Sequence, residues 1–181
     1  PSRATAVRRP TAFWPGVGAG SVITALAAAL ALFIAMPSGP GRLENDLTTA
    51  HLRSLMADHL IDVASSDQHT VKPWFAGHTD VSPPTPDFRK EDYRLVGGRA
   101  DYLDGSRAAV VVYRHGAHVI NVFAWGQQQG TLPQMVTRNG YHTACWRSGD
   151  LAFCAVSDTG VDELTRLVAL LKETAAQENR E

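Results

Sequence analysis

Cysteine is scarce in this chain, with two in 181 residues, which excludes a disulfide-dense miniprotein. Neither cysteine belongs to a C-x-x-C pair, and no cysteine/histidine spacing of the structural zinc type occurs. There is no surplus of either charge: 17 Lys+Arg against 18 Asp+Glu leave a net charge of -1. That balance removes the global electrostatic case for nucleic acid as a partner. The motifs that announce catalysis (GxSxG, HExxH, a P-loop, a glycine-rich dinucleotide fingerprint) are all missing. Gly97-Gly98 falls inside a strand pattern, which argues against a phosphate cradle. With no converging acid, base and nucleophile, the expectation is a protein that is not an enzyme and needs no cofactor or metal.

Charge is also missing locally, from Arg9 to Arg42. Inside that gap, residues 16–36 read GVGAGSVITALAAALALFIAM, 21 residues in all. At about 1.5 Å per residue, a helix of this length covers roughly 30 Å, the thickness of a hydrocarbon core. A backbone in lipid must satisfy its own hydrogen bonds, so such a run is expected to be helical. Pro15 and Pro37 bracket it, and Trp14 sits where interfacial aromatics sit. Arg3, Arg8 and Arg9 precede it without an acid, whereas Arg42 is followed by Glu44 and Asp46. Positive-inside reasoning then puts the N-terminus in the cytoplasm and the chain beyond residue 40 outside. Two rivals are a cleaved signal peptide, for which the run is long and lacks an A-x-A end, and a buried helix of a soluble core. The expected organisation is a short cytoplasmic segment 1–14, a transmembrane helix 15–37, a periplasmic domain 38–177 and a tail 178–181.

The remaining composition, 44% hydrophobic and 19% charged overall, belongs to a folded chain. Leu52, Leu55, Met56, His59, Leu60 and Val63 repeat at helical spacing, which predicts an amphipathic helix over 44–64 capped by Asn45 or Asp46. Residues 67–94 lack periodicity and carry Lys72-Pro73 and Ser82-Pro83-Pro84-Thr85-Pro86. They read as a long loop, pinned by Val71, Trp74, Phe75, Val81 and Phe88. Five strands follow, over 95–103, 108–113, 118–125, 141–146 and 151–157. The first has a bulge or bend at Gly97-Gly98. Turns are expected at Asp104-Gly105, His115-Gly116-Ala117 and Ser148-Gly149-Asp150. Residues 126–139 read as a polar connector, and Leu164, Leu167, Val168 and Leu171 predict a final helix over 162–177. Grouped strands between helices mean α+β with an antiparallel five-stranded meander-type sheet, not a βαβ fold. Val110-Val111-Val112 requires cover on both faces. Two helices would cover one, and the aromatic loop or a partner the other.

Cys145 and Cys154 stand opposite each other if Gly149-Asp150 centres their hairpin. Three states remain open for them: a cross-strand disulfide, two small buried thiols, or a redox sensor beside Arg147. His115-x-x-His118 reads as turn and cross-strand polar residues rather than a metal site. In DQHTVKPWF (67–75), a cation, an imidazole and two rings form either a ligand or peptide pocket or a plug of Trp74 and Phe75 into the core.

Several stretches resemble the extracytoplasmic domain of predicted transmembrane anti-sigma factors of Gram-negative bacteria. They are HLRSLMADHLIDVASSDQHTVKPWFAG (51–77), LVGGRADYLDG (95–105), VVYRHGAHVINVFAW (111–125), GYHTACWRSGDLAFCAVSD (140–158) and DELTRLVALL (162–171). The resemblance implies a single-pass inner-membrane protein whose cytoplasmic part holds an extracytoplasmic-function sigma factor inactive. The outer domain would sense an envelope protein or small-molecule signal, or control proteolytic release. The family's sigma-binding helical domain, with a histidine and two cysteines, has no counterpart in the fourteen residues before Pro15. Sigma binding is therefore expected through a cytoplasmic domain not present in this chain, and the cysteine pair is local to this protein. The candidate input surface joins His69, Lys72 and Trp74 of the 67–75 segment to Tyr113, His118 and Asn121 of the meander. A membrane-tethered binding or scaffold protein unrelated to sigma control is the alternative function.

Overall fold

The computed structural model describes residues 24–29, 41–56, 59–103, 105–126 and 131–178. The chain divides into two compact units, residues 1–39 and 40–181. In the first, residues 24–29 are helical. The rest of the expected span 15–37, the segment 1–14 and residues 179–181 lie outside the described residues. Among the described residues, no helix is long and apolar enough to cross a membrane.

The second unit is α+β, as the grouping of strands requires. Helix α1 (Arg42–Ser54) is followed by β1 (Val63–Ala64), α2 (Gln68–His78), a 3-10 turn (Arg89–Glu91) and β2 (Arg94–Leu103). Then come β3 (Ser106–His115), β4 (His118–Gly126), β5 (Met135–Arg138), β6 (Tyr141–Ser148), β7 (Leu151–Ser157) and α3 (Val161–Glu178). The sheet has seven strands, not five, in the order β1-β2-β3-β4-β7-β6-β5. All neighbours are antiparallel. The chain leaves β4, builds β5 at the far edge, and returns through β6 so that β7 lies against β4.

The two additional strands were hidden for different reasons. β1 is only two residues long, too short for any alternation to register, and pairs Val63 with Gly98 and Ala64 with Gly97. β5 lies inside the stretch read as a connector. It turns into β6 through Asn139 (φ 50) and Gly140 (φ 81), the left-handed pair that a two-residue hairpin turn needs. The expected irregularity at Gly97-Gly98 is present: the β2–β3 register shifts between Leu95 and Gly97.

The segment read as a loop contains α2. Asp67 caps it, its carboxylate accepting from the His69 N–H at 2.8 Å, which satisfies a free donor of the first turn. Pro73 sits inside this helix. The extended backbone favoured before a proline is a bias, and burial of Val71 and Phe75 (both 0% exposed) overrides it. Helix α1 stops at Ser54 rather than running to residue 64. Asp62 N–H donates to Gly98 O and residues 63–64 join the sheet, so the backbone groups a longer helix would use are committed to β2.

Two apolar layers flank the sheet. On one face, α2 (Val71, Phe75) and α3 (Leu164, Leu167, Val168, Leu171) close over Leu95, Val111, Tyr113, Ile120, Val122, Trp146 and Phe153. On the other, α1 (Leu47, Ala50) closes over Val110, Val112, Phe123, Cys145, Cys154 and Val156. Both faces are covered, but the division differs from expectation: the aromatic segment shares its face with the C-terminal helix, and α1 covers the other together with Leu60, Ile61 and Leu132.

Candidate functional site

The face under α1 is where the domain departs from an ordinary core. A helix of 13 residues is seated there by Leu47 and Ala50, yet its other buried positions are Glu44, Thr48, His51 and Ser54. Leu52 (41%) is exposed on the helix, and Leu55 (44%) and Met56 (65%) are exposed just past its end. Of the helical stripe that stands out in the sequence, only Leu52 is on α1 and it points outward, while Leu60 and Val63, beyond the helix, pack against the core; a stripe of smaller and polar residues points in.

Asn121 meets this stripe from β4. It is fully buried, and its Nδ2 donates to Ser54 Oγ at 2.8 Å; Ser54 Oγ donates in turn to His51 O at 2.7 Å. From β2, Arg99 enters at 4% exposure. Its guanidinium donates twice to Asp101 Oδ2 and once to Leu60 O, each at 3.3 Å, and lies 5.6 Å from the centre of the Phe123 ring. Arg53 reaches the other oxygen, Asp101 Oδ1, at 3.0 Å. Asp101 therefore sits between two arginines, one buried and one exposed. Burial lowers the Arg99 pKa, and Asp101 opposes that shift. A small cleft of about 110 Å³ opens at this end of α1, lined by Arg53, Ser54, His59, Asp62, Arg99 and Asp101.

His51 is sealed at 0% exposure, edge-on to Tyr141 with ring centres 5.4 Å apart. Burial holds its pKa down at about 4, Arg99 adds to the depression, and Asp158 works against it. The imidazole is thus kept neutral at ordinary pH. Ser54 Oγ is turned to the His51 backbone carbonyl, so these two side chains form no nucleophile–base pair. The arrangement is suited to holding a helix.

The six residues of the expected input surface do not converge. His69 lies exposed in the first turn of α2. Lys72 is half-buried on the same helix. Trp74 stacks on His78 at 4.1 Å and meets Phe75 edge-on; with Phe75 it plugs α2 into the core, the second of the two readings of that segment. Tyr113 is sealed beneath the proline-rich stretch, its hydroxyl donating to Pro86 O at 2.9 Å. His118 Nδ1 lies 2.9 Å from Asp158 Oδ1. Asn121 is on the opposite face from Tyr113, because Tyr113 pairs with Ile120 while Asn121 pairs with Val112, and alternate residues of a strand face opposite ways. His115 and His118 are direct register partners, but they diverge: His115 Nδ1 bonds Asp92 O at 2.9 Å and its ring stacks on Tyr93.

Of the three states left open for the cysteines, the structure holds the disulfide: Cys145 and Cys154 are bonded, with Cα atoms 4.1 Å apart in register across β6 and β7. Sequence reasoning missed His51, Ser54, Arg99 and Asp101 as a group. A signal existed for the helical pair, since Leu47, Ala50, His51 and Ser54 fall on one stripe. No signal tied them to Arg99, which only the α1–β2 approach supplies. No protein-family model, curated protein or solved structure matches the chain.

Proposed function

We propose that this chain is the anchor and outer domain of a membrane-anchored anti-sigma regulator. In this reading residues 15–37 cross the inner membrane with the N-terminus cytoplasmic, and residues from 38 onward form the periplasmic domain. A cytoplasmic domain outside this chain would hold the sigma factor, and an envelope protein or small molecule would act on the outer domain. The reading is supported by the uncharged 21-residue run, by the positive residues before it, and by the family-like stretches between residues 51 and 171.

The observation that carries it is the seating of α1. This helix begins six residues after Met36, the last residue of the apolar run, and is fastened to the sheet by few large apolar side chains and a buried polar cluster. A regulator needs an element with two arrangements of similar free energy, which a signal shifts by binding them unequally. A helix held in this way is such an element, and it is the first one that the anchor meets along the chain.

The test is genetic and topological. Alkaline phosphatase fused after Glu181 is expected to be active only in the exported state. The complete gene product is expected to co-purify with one extracytoplasmic-function sigma factor, and its deletion to raise that factor's target transcripts. An exported fusion without any sigma association or transcript change would instead establish the tethered scaffold; phosphatase inactivity with a cytosolic protein would overturn both.

A further inference from the structure

Unmet hydrogen-bonding capacity is concentrated at one interface of the domain. Among the described residues, the buried side-chain polar atoms without a partner are Glu44 Oε2, both ring nitrogens of His51, Asn121 Oδ1 and Trp146 Nε1. All but the last belong to the seam between α1 and the sheet. Interiors leave few such atoms, and each calls for an explanation. The opposite face, closed by Val71, Phe75, Leu164, Leu167, Val168 and Leu171, contributes only Trp146.

His51 is at the centre of this seam, and the groups around it set what a proton would do. From β2 comes Arg99, of like charge to an imidazolium and already committed to Asp101. From β6 comes the uncharged Tyr141 ring. From β4 come Asn121, whose Nδ2 is engaged by Ser54 and whose uncharged Oδ1 has no partner among the described residues, and His118, which is paired with Asp158. Beyond β7, Asp158 is the carboxylate that favours a charged His51, and His118 already occupies it. On α1 itself, Glu44 lies seven positions earlier, and Arg53 is turned to Asp101. A neutral ring is tolerated here at the cost of two missing hydrogen bonds. A charged ring faces a buried guanidinium and has no carboxylate of its own, so its stable location is water.

We infer that α1 is an acid-released clasp: when His51 takes up a proton from solvent, the helix leaves the sheet and uncovers Asn121, Arg99 and Phe123, while the sheet, α2 and α3 stay folded. The sign follows from the direction in which the ring is biased. Its affinity for protons is lower docked than undocked, so docking is complete above the ordinary histidine pKa of 6.5 and weakens as pH falls toward about 4. The clasp is a property of the folded domain and goes beyond the sigma-factor reading; it stands or falls whichever partner the anchor serves.

Hydrogen exchange of the full chain in detergent micelles at pH 7 and pH 4, corrected for intrinsic rates, tests it. Amides of α1 are expected to lose about 100-fold in protection relative to those of β3 and β4 in the same sample. His51→Leu is expected to keep α1 protected at pH 4 within about threefold of its pH 7 value, with His51→Gln as the second variant should the first not fold. Glu44→Gln is expected to leave acid release intact. Protection of α1 at pH 4 in the unaltered protein, joint opening of α1 and the sheet, acid release that survives both His51 variants, or its loss in Glu44→Gln would each overturn the clasp.

Discussion

Asn121 Nδ2 donates to Ser54 Oγ at 2.8 Å, tying the middle of β4 to the last residue of α1 across 67 positions of chain. The bond lies on a sheet face lined mainly by Val110, Val112, Phe123 and Val156, beside the cleft that Ser54 and Arg99 line. It therefore sets where α1 sits along the strand, a task that the apolar contacts of Leu47 and Ala50 alone leave loosely determined.

Ser54→Ala is expected to lower unfolding free energy by about 1–2 kcal/mol, because it leaves the buried Asn121 Nδ2 unmet, and Asn121→Ala by about 1 kcal/mol, because Ser54 Oγ keeps its bond to His51 O. The double variant is expected to fall short of the sum by about 1 kcal/mol, since the two residues share one bond. Urea unfolding followed by circular dichroism measures the cycle; strict additivity would mean that the bond contributes nothing to the seating of α1.

The Cys145–Cys154 bridge closes a loop with a sequence separation of 9. Restricting the unfolded chain by a loop this short is worth about 2.5 kcal/mol in the chain-entropy account. Cys145→Ala/Cys154→Ala is expected to lose about that much stability while retaining the sheet. Thiol labelling of the urea-unfolded, unreduced protein should find no free cysteine; two labelled thiols would reject the bridge.

Gly98 allows α2 to approach the sheet. A Cβ placed there would lie 2.6 Å from Phe75 Cζ and 3.1 Å from Val71 Cγ1. Gly98→Ala is expected to cost about 1–3 kcal/mol through overcrowding. Adding Phe75→Leu, a smaller side chain at the contact, should make the glycine substitution less harmful than it is alone. Thermal unfolding of the four proteins distinguishes this from a general intolerance of substitution in β2.

Burial raises the Tyr113 pKa well above that of an exposed phenol, and Asp87 adds to the shift. A raised pKa means that the folded state prefers the protonated ring. Its stabilising contribution is complete below about pH 10 and is lost as pH rises beyond it. In an alkaline titration at 295 nm, the Tyr113 phenolate should appear only together with loss of circular dichroism. Tyr113→Phe should remove one tyrosine's absorbance from that cooperative step; an unchanged step would show that Tyr113 ionises within the fold.

Much of the domain was readable from local chemistry. The β-branched and aromatic runs at 108–113 and 118–125, and the turn pairs at 104–105 and 149–150, predicted strands and hairpins close to those present. Leu164, Leu167, Val168 and Leu171 predicted α3 to within a residue at either end. Failures came where local and non-local preferences disagreed. Lys72-Pro73 argued for extended chain, while Val71 and Phe75 were worth more buried on a helix. The Leu52, Leu55 and Met56 stripe argued for a core face that the sheet does not use. The site was less legible still, since the six chosen residues followed proximity in sequence and polarity, neither of which tells on which side of a strand a residue emerges.

The sequence by itself determined the uncharged run before Arg42, the antiparallel hairpins and the need for cover on both sides of the sheet, because these depend on hydropathy and turn geometry along contiguous stretches of chain. Only the tertiary structure decided which stripe of α1 turns inward, and that His51, Ser54, Arg99, Asp101 and Asn121 share one seam. Those positions span 51 to 121. Their partnership exists only after β2, β3 and β4 have aligned and α1 has folded back across them, a choice made by long-range burial that no local pattern encodes.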